Sequence, residues 1–436
     1  MNKFIETIKN IFKIEELRKR ILYTVLLILV YRLGCHVVIP GIDPEALASS
    51  QALADQTEGG LVGLLNVFSG GAFANASLFA LGVMPYITAS IIIQLLGMMV
   101  PAVQKVMKEG ESGRRKMNNW TRLLTIGVLA VQGPAYLANL HNQAPDAFIF
   151  GANVWFTIYA ILLLISGTMF VMWLGEKITD KGIGNGVSLI IMIGIVARLP
   201  HALMGELNAQ FKTGSIIMVI VELVLLFVVF MATIAVVQAV RKIPVQYAKR
   251  IIGNKQYGGV RQYIPLKMNA ANVMPIIFAQ ALMFIPMLFA GVAPKFAAAF
   301  ADMTGVWYNL TLAVLVIVFT YFYTAIIINP QQMAEDMKRN GGFIPGVKPG
   351  KATVSYVDGI LTRITLPGSL FLALVAILPA IAMICGIQQS FAYFFGGTSL
   401  LIMVGVVLDT LQQIESHLLN RHYDGLMKTG RIQGRH

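Results

Sequence analysis

The chain alternates between long apolar runs and shorter polar stretches rich in charge. Apolar runs fall near 21–39, 76–100, 121–139, 154–175, 184–203, 214–239, 271–291, 307–328, 365–385 and 393–414. Crossing a bilayer as an α-helix takes about 20 residues, a length these runs supply. Helix is the expected form, because lipid offers no partner to an unpaired backbone N–H or C=O. The pattern predicts ten crossings, and the even count puts both termini on the same side.

The charges choose that side. Thirty basic residues lie in the N-terminal tail, the 2/3, 4/5, 6/7 and 8/9 connections and the C-terminal tail. Three, Arg198, Lys212 and Lys295, lie on the opposite side, and Arg32 sits within the first run. Cytoplasmic loops carry the excess of Lys and Arg, so both termini are expected in the cytoplasm. The net charge of +13, from 34 Lys+Arg against 21 Asp+Glu, then reads as topology rather than as a surface for nucleic acid. Composition agrees: 56% of residues are hydrophobic and 13% charged, where soluble domains carry about 25% charge. The two cysteines, Cys35 and Cys385, fall in apolar runs and read as buried, inert thiols without a disulfide framework.

Ten crossings split into two sets of five, 1–203 and 214–436. A five-helix half that starts inside ends outside. If the halves resemble each other, they are related by inversion in the membrane plane, as in many transport folds.

Several segments depart from plain lipid-facing helix. In "LGVMPYITASIIIQLL", 81–96, Val83 and Ile87 share one helix face. In "GEKITDKGIGNGVSLII", 175–191, alternating glycines at 182, 184 and 186 lead into a helix where Val187 and Ile191 are again four apart. Those glycines allow tight entry and close helix contact. The stretch "GGLVGLLNVFSGGAF", 59–73, is apolar but too short to span. It reads either as a short helix packed on the outer face or as a re-entrant segment filling a cavity between helices. Its glycine pairs, 59–60 and 70–71, can act as flexible joints. The basic connections 241–270 and 330–364 are long, with Gly and Pro at turn positions. They suit a docking surface; the alternative is attraction to anionic lipid, worth about 1 kcal/mol per basic residue.

No catalytic signature appears. "GVKPGKAT", 346–353, misses the phosphate-loop spacing and ends without Ser or Thr after Lys. The six histidines form no metal motif, so no metal or cofactor is expected. Within the spans the main acidic residues are Glu222 and Asp409, and Glu222 fits a residue near an interface or facing a partner subunit. The chain therefore reads as a channel, a transporter or a scaffold, and not as an enzyme. A secondary transporter of small solutes shares the parity and the broken helices, but needs polar groups converging at mid-membrane where this sequence offers aliphatics. An intramembrane protease needs a placed nucleophile and base, which are missing.

The two signature stretches, 80–96 and 175–191, resemble those of the SecY family, central subunits of the bacterial protein-translocation channel. "NVFSGGAFANASLFALG" at 66–82, "VQYAKR" at 245–250, "IPLKMNAANVMP" at 264–275, "FIPGVKPG" at 343–350 and "FGGTSLLIMVGVVLD" at 395–409 are similar to family sequence too. The resemblance implies an all-α polytopic membrane protein, with ten transmembrane helices in two inverted halves around a central hourglass pore. It implies a passive gated channel for unfolded polypeptides, with lateral release of apolar segments into lipid. The waist would be an aliphatic ring of Val83, Ile87, Val187, Ile191, Ile277 and Ile402, which excludes water by dewetting; ordinary helix packing is the alternative role. The plug would be 61–71, including Leu61, Val62, Leu64, Leu65, Asn66, Phe68, Gly70 and Gly71. Thr88, Gln132 and Gln280 would lie at a lateral gate between spans 2 and 3 and spans 7 and 8. Arg250, Lys255, Lys348 and Lys351 would belong to the docking site for the ribosome and the SecA motor ATPase. Lys348 stands where the family usually has arginine, keeping the charge but losing the planar fork. SecE and SecG as small membrane subunits, signal sequences and unfolded preproteins as clients, membrane lipids, and the bacterial inner membrane as location complete what the resemblance implies.

Overall fold

The computed structural model describes residues 14–47, 49, 66, 69–149, 151, 153–213, 216–247, 250–252, 255–257, 261–283, 300 and 303–429. It is mainly helical. In chain order come α1 (Glu15–Gly34), α2 (Met84–Met99), α3 (Pro101–Lys108), α4 (Glu111–Gln143), α5 (Val154–Lys181), α6 (Gly186–Thr213) and α7 (Ile216–Gln238). A long β-hairpin follows: β1 (Val240–Tyr247), β2 (Arg250–Ile252), β3 (Lys255–Tyr257) and β4 (Arg261–Lys267). Then come α8 (Met274–Leu282), α9 (Val306–Ile327), α10 (Pro330–Arg339), β5 (Gly342–Phe343), α11 (Lys351–Ile384), α12 (Gln389–Ala392) and α13 (Gly397–Thr429).

Each of the ten apolar runs overlaps one of these helices. Among the described residues, seven helices are long and apolar enough to cross a membrane, or up to eight if α2 and α3, bent by 106° at Val100, count as one span. The first helix misses that test because Arg18, Lys19, Arg20 and Arg32 fall within it. Exposure is inverted relative to a water-soluble protein. Helix α7 is the most apolar of these spans and the least buried, with Ile217 78% and Phe227 66% exposed. Apolar side chains turned outward over whole helices require an apolar solvent.

The chain forms two compact units, 1–201 with 406–436, and 202–405. The first boundary cuts α6 and the second cuts α13. In the first unit, Ile39, Ile42, Phe73 and Ala76, from the segment linking α1 to α2, pack with Tyr136, Leu137 and Leu140 of α4 and with Phe156, Ala160 and Leu164 of α5. Residues 69–83 of that link run through successive turns, so they need explicit partners for their backbone. Tyr136 supplies one: its hydroxyl donates to the Phe73 carbonyl at 2.7 Å, while its ring meets Phe73 edge-on at 4.7 Å.

Among the described residues, two clusters form cores in the second unit. One lies among α8, α9, α11 and the start of α13, around Ile276, Ala279, Val316, Leu372, Val375 and Leu400. The other is small and unites the two basic connections. Ile243 and Val245 of β1, Leu266 of β4, Met337 of α10, Ile344 and then Val357 and Leu361 of α11 bury one another. Strand β1 pairs antiparallel with β4, from Val240 opposite Lys267 to Gln246 opposite Arg261. Its other edge takes β5, with Gln246 opposite Phe343 and Tyr247 opposite Gly342. This sheet, ordered β4-β1-β5, is an addition to the all-helical expectation. Period-2 alternation signals it: Ile243 and Val245 point inward, and Lys242 and Pro244 outward. Helix α10 starts where Asn329 accepts from the backbone N–H groups of Gln331 and Gln332, with Pro330 behind it. Helices α4 and α11 run to 33 and 34 residues, longer than the apolar runs they contain. One thiol departs from expectation: Cys35 is buried, but Cys385, just past α11, is exposed because the helix ends there.

Replacing Tyr136 by Phe should lower stability by about 1–3 kcal/mol, the cost of stranding the buried Phe73 carbonyl. Tyr136→Ala should cost more, about 3–5 kcal/mol, because a cavity is added. Thermal unfolding in mild detergent measures both.

Candidate functional site

The alternating glycines between α5 and α6 form a turn whose amides are taken by side chains. A helix N-terminus leaves several N–H groups without intrahelical acceptors. Here Ile183 N–H donates to Thr24 Oγ1 of α1 at 3.1 Å, Gly184 N–H to Gln413 Oε1 of α13 at 2.9 Å, and Gly186 N–H to Thr179 Oγ1 of α5 at 2.9 Å. Asn185 caps the helix by accepting from Ser188 N–H at 3.3 Å. Glycine is required for space: a methyl on Gly186 would run into the Gly175 carbonyl, and one on Gly182 into Thr24 Oγ1. Three helices therefore fix where α6 begins, and with it Val187 and Ile191.

Val83 immediately precedes α2, with Pro85 in the first turn, and is buried; its carbonyl accepts from Ile87 N–H at 3.1 Å. Ile87, Val187, Ile191 and Ile277 are half-buried, and Ile402 is buried. The same helices expose other aliphatics, Ile92 and Leu96 on α2 and Val196 on α6. Val187 also has a packing role, with Cγ2 set against Gly175 of α5. Val83, Ile87, Val187 and Ile191 belong to the first unit, and Ile277 and Ile402 to the second.

Of the residues expected in a plug, Leu61, Val62, Leu64, Leu65 and Phe68 lie outside the described residues. Asn66 organises the turn after them. Its carbonyl accepts from Gly71 N–H at 3.0 Å and from Ser69 Oγ at 3.2 Å, and its Oδ1 accepts from Ala74 N–H at 3.2 Å. Gly70 and Gly71 have φ of +64° and +92°, which disfavours other residues. Two arginines meet this turn. Arg32 Nη1 donates to the Gly70 carbonyl at 3.1 Å, and the Arg198 guanidinium lies against Gly71. The sequence reading placed each singly and missed their convergence; the available signal was a charge inside an apolar run.

Thr88 on α2 donates within its own helix, to the Met84 carbonyl at 3.1 Å, and Gln132 on α4 and Gln280 on α8 are half-buried. Helix α2 packs along α4 in the first unit and α8 along α9 in the second. The sequence reading missed a further tie: Arg122 of α4 donates to both oxygens of Glu176 of α5, at 2.7 and 2.6 Å. Glu222 is buried beside Glu206 and Gln210. Gln210 Nε2 donates to Glu206 Oε1 at 2.8 Å and to Glu222 Oε1 at 3.4 Å, and Gln388 N–H donates to Glu206 Oε2 at 2.7 Å. Glu206, buried near the end of α6, escaped sequence reading because it lies past the apolar run.

Arg250 opens β2 and Lys255 opens β3, the paired outer strands of the hairpin. Lys348 and Lys351 are exposed in the turn leading into α11, where the Lys348 carbonyl accepts from Thr353 Oγ1 at 3.0 Å.

Residues 77–411 match the family model for SecY. The protein translocase subunit SecY of Streptomyces coelicolor is 44% identical, over 96% of this chain and 98% of its own length. That of Thermotoga maritima is 40% identical, over 99% of both. Among solved structures, a protein-conducting channel aligns with a TM-score of 0.62 at 17% identity, covering 92% of both chains. A SecY whose plug domain is described as stabilising the closed state and maintaining a membrane seal aligns at 0.60 and 18%, with the same coverage. Sec61 from a canine ribosome–channel complex aligns at 0.58 and 16%, again over 92% of both.

Replacing Gln413 by Ala should leave Gly184 N–H without its acceptor and lower stability by about 1–3 kcal/mol. Gln413→Glu, which keeps an acceptor oxygen, should lose less. Unfolding temperature in detergent reads the difference.

Proposed function

Because the chain belongs to the SecY family, and so forms a Sec protein-translocation channel, we propose that Val83, Ile87, Val187, Ile191, Ile277 and Ile402 close it as an aliphatic ring. Branched apolar side chains around a narrow bore expel water, and ions do not cross a dry constriction. They also yield to a passing peptide without making hydrogen bonds that would hold it. The observation that carries the reading is that none of the six is exposed, while other aliphatics of α2 and α6 are. The glycine turn supports it, since the start of α6 is held by three helices.

In this reading the two five-helix halves, 1–203 and 214–436, are inverted relatives that surround the bore. The segment 61–71 sits on its outer side as the plug. Spans 2 and 3 face spans 7 and 8 at a gate to lipid bearing Thr88, Gln132 and Gln280. Interhelical polar contacts in membranes average about 0.6 kcal/mol, so an apolar signal sequence competes readily with them. The channel is passive and lies in the bacterial inner membrane with both termini in the cytoplasm. SecE and SecG accompany it, and SecA or the ribosome docks on the hairpin and the α10–α11 connection through Arg250, Lys255, Lys348 and Lys351. The core shared by these two connections supports a single docking platform.

Changing Val83, Ile87, Val187 and Ile191 to serine together should make resting proteoliposomes leak ions. Conductance that stays at background removes the ring assignment. Arg250→Glu should weaken binding of SecA or ribosomes while the unfolding temperature holds; an unchanged binding curve takes Arg250 out of the docking site.

A further inference from the structure

We propose that Arg32 and Arg198 are positioning residues that anchor the Gly70–Gly71 turn to α1 and α6, and that this anchorage keeps the resting channel sealed. The inference rests on the sealing role proposed above and adds to it what holds the segment ahead of α2 in place.

The turn is gripped from two sides. Arg32, in the last turn of α1, donates Nη1 to the Gly70 carbonyl at 3.1 Å. A cation there also suits the negative end of the helix. On the other side, the backbone of α6 comes so close that a Cβ on Gly70 would lie 2.8 Å from Gly194 Cα. One helical turn further along α6, Arg198 covers Gly71, where a Cβ would lie 3.1 Å from Nε and 3.2 Å from Nη2. Both arginines are half-buried. A guanidinium within an apolar span is costly unless it finds acceptors, so it stays with the carbonyl it meets.

The neighbours reinforce the grip. Ser69 Oγ accepts from Phe73 N–H at 3.0 Å, and Asn75 N–H donates to the Gly71 carbonyl at 3.1 Å. The glycine pair read from sequence as a flexible joint is thus a pinned turn in its described part. Glycine serves it by permitting positive φ and close approach rather than by permitting swing. The anchor on α6 is also well placed: Gly194 lies three residues beyond Ile191, so one rigid helix carries both the proposed ring residue and the seat of the turn.

The test uses the full-length chain in its native membrane complex, reconstituted into proteoliposomes, with a spin label on Asn75→Cys. Arg32→Gln combined with Arg198→Gln should sharpen the label's spectrum and raise the resting ion leak several-fold. Arg32→Lys, which keeps a cationic donor, should restore most of the seal. Arg198→Gln alone leaves the bond to Gly70 intact, assembles as the parent does and should leak less than the double variant. An immobile label in the double variant overturns the anchorage, as does a mobile label with the leak at background. Tight arginine variants beside leaking ring-serine variants sink the anchorage alone. If the ring-serine variants are tight as well, the sealing role falls with it.

Discussion

A backbone amide packed among apolar side chains has no water to turn to, and this constraint governs the irregular turns that lead into the spans. The glycine turn before α6 shows the solution most fully. Its amides are accepted by Thr24, Thr179 and Gln413, side chains from three separate helices. The same rule acts between α1 and α2, where Tyr136 and Arg32 reach carbonyls of an irregular segment. Irregular backbone survives in such surroundings only where protein shields and partners it. Its polar partners therefore identify the segments on which the architecture turns.

The aliphatic ring proposed above illustrates how little chemistry such a closure needs. It requires no nucleophile, metal or bound nucleotide, only side chains of suitable size held in register. Precision comes from the supports: close glycine contacts at 175, 182 and 186 set the path of α6, and Pro85 marks the entry of α2. Polar groups tie other elements together: Arg122 of α4 to Glu176 of α5, and Glu206 of α6 to the Gln388 N–H just before α12.

Much of this was legible in the sequence because lipid imposes a simple rule. Apolar length located the long helices, and glycine spacing located the α5–α6 turn. The 241–270 and 330–364 connections were legible as long and basic, but their sheet was not, although Ile243 and Val245 alternate with exposed neighbours. Pairing of β5 with β1 joins residues almost a hundred positions apart, and no local pattern announces that. Arg32 and Arg198 were visible as charges, yet their meeting depends on how α1, α6 and an irregular turn converge. Glu206 was hidden because burial near a helix end is decided by neighbours such as Gln210 and Gln388, not by the run it follows. The proposed ring and gate rest on family likeness, because periodicity alone leaves them indistinguishable from helix packing.

The three-stranded sheet has a consequence for how this fold can diversify. Because Gly342 and Phe343 complete an edge of the hairpin strand, and Met337, Val357 and Leu361 line its buried face, neither connection is a self-sufficient module. Grafting 240–267 from a distant homologue would leave the recipient's short strand with a mismatched neighbour. A change in the buried face of one connection therefore calls for a compensating change in the other.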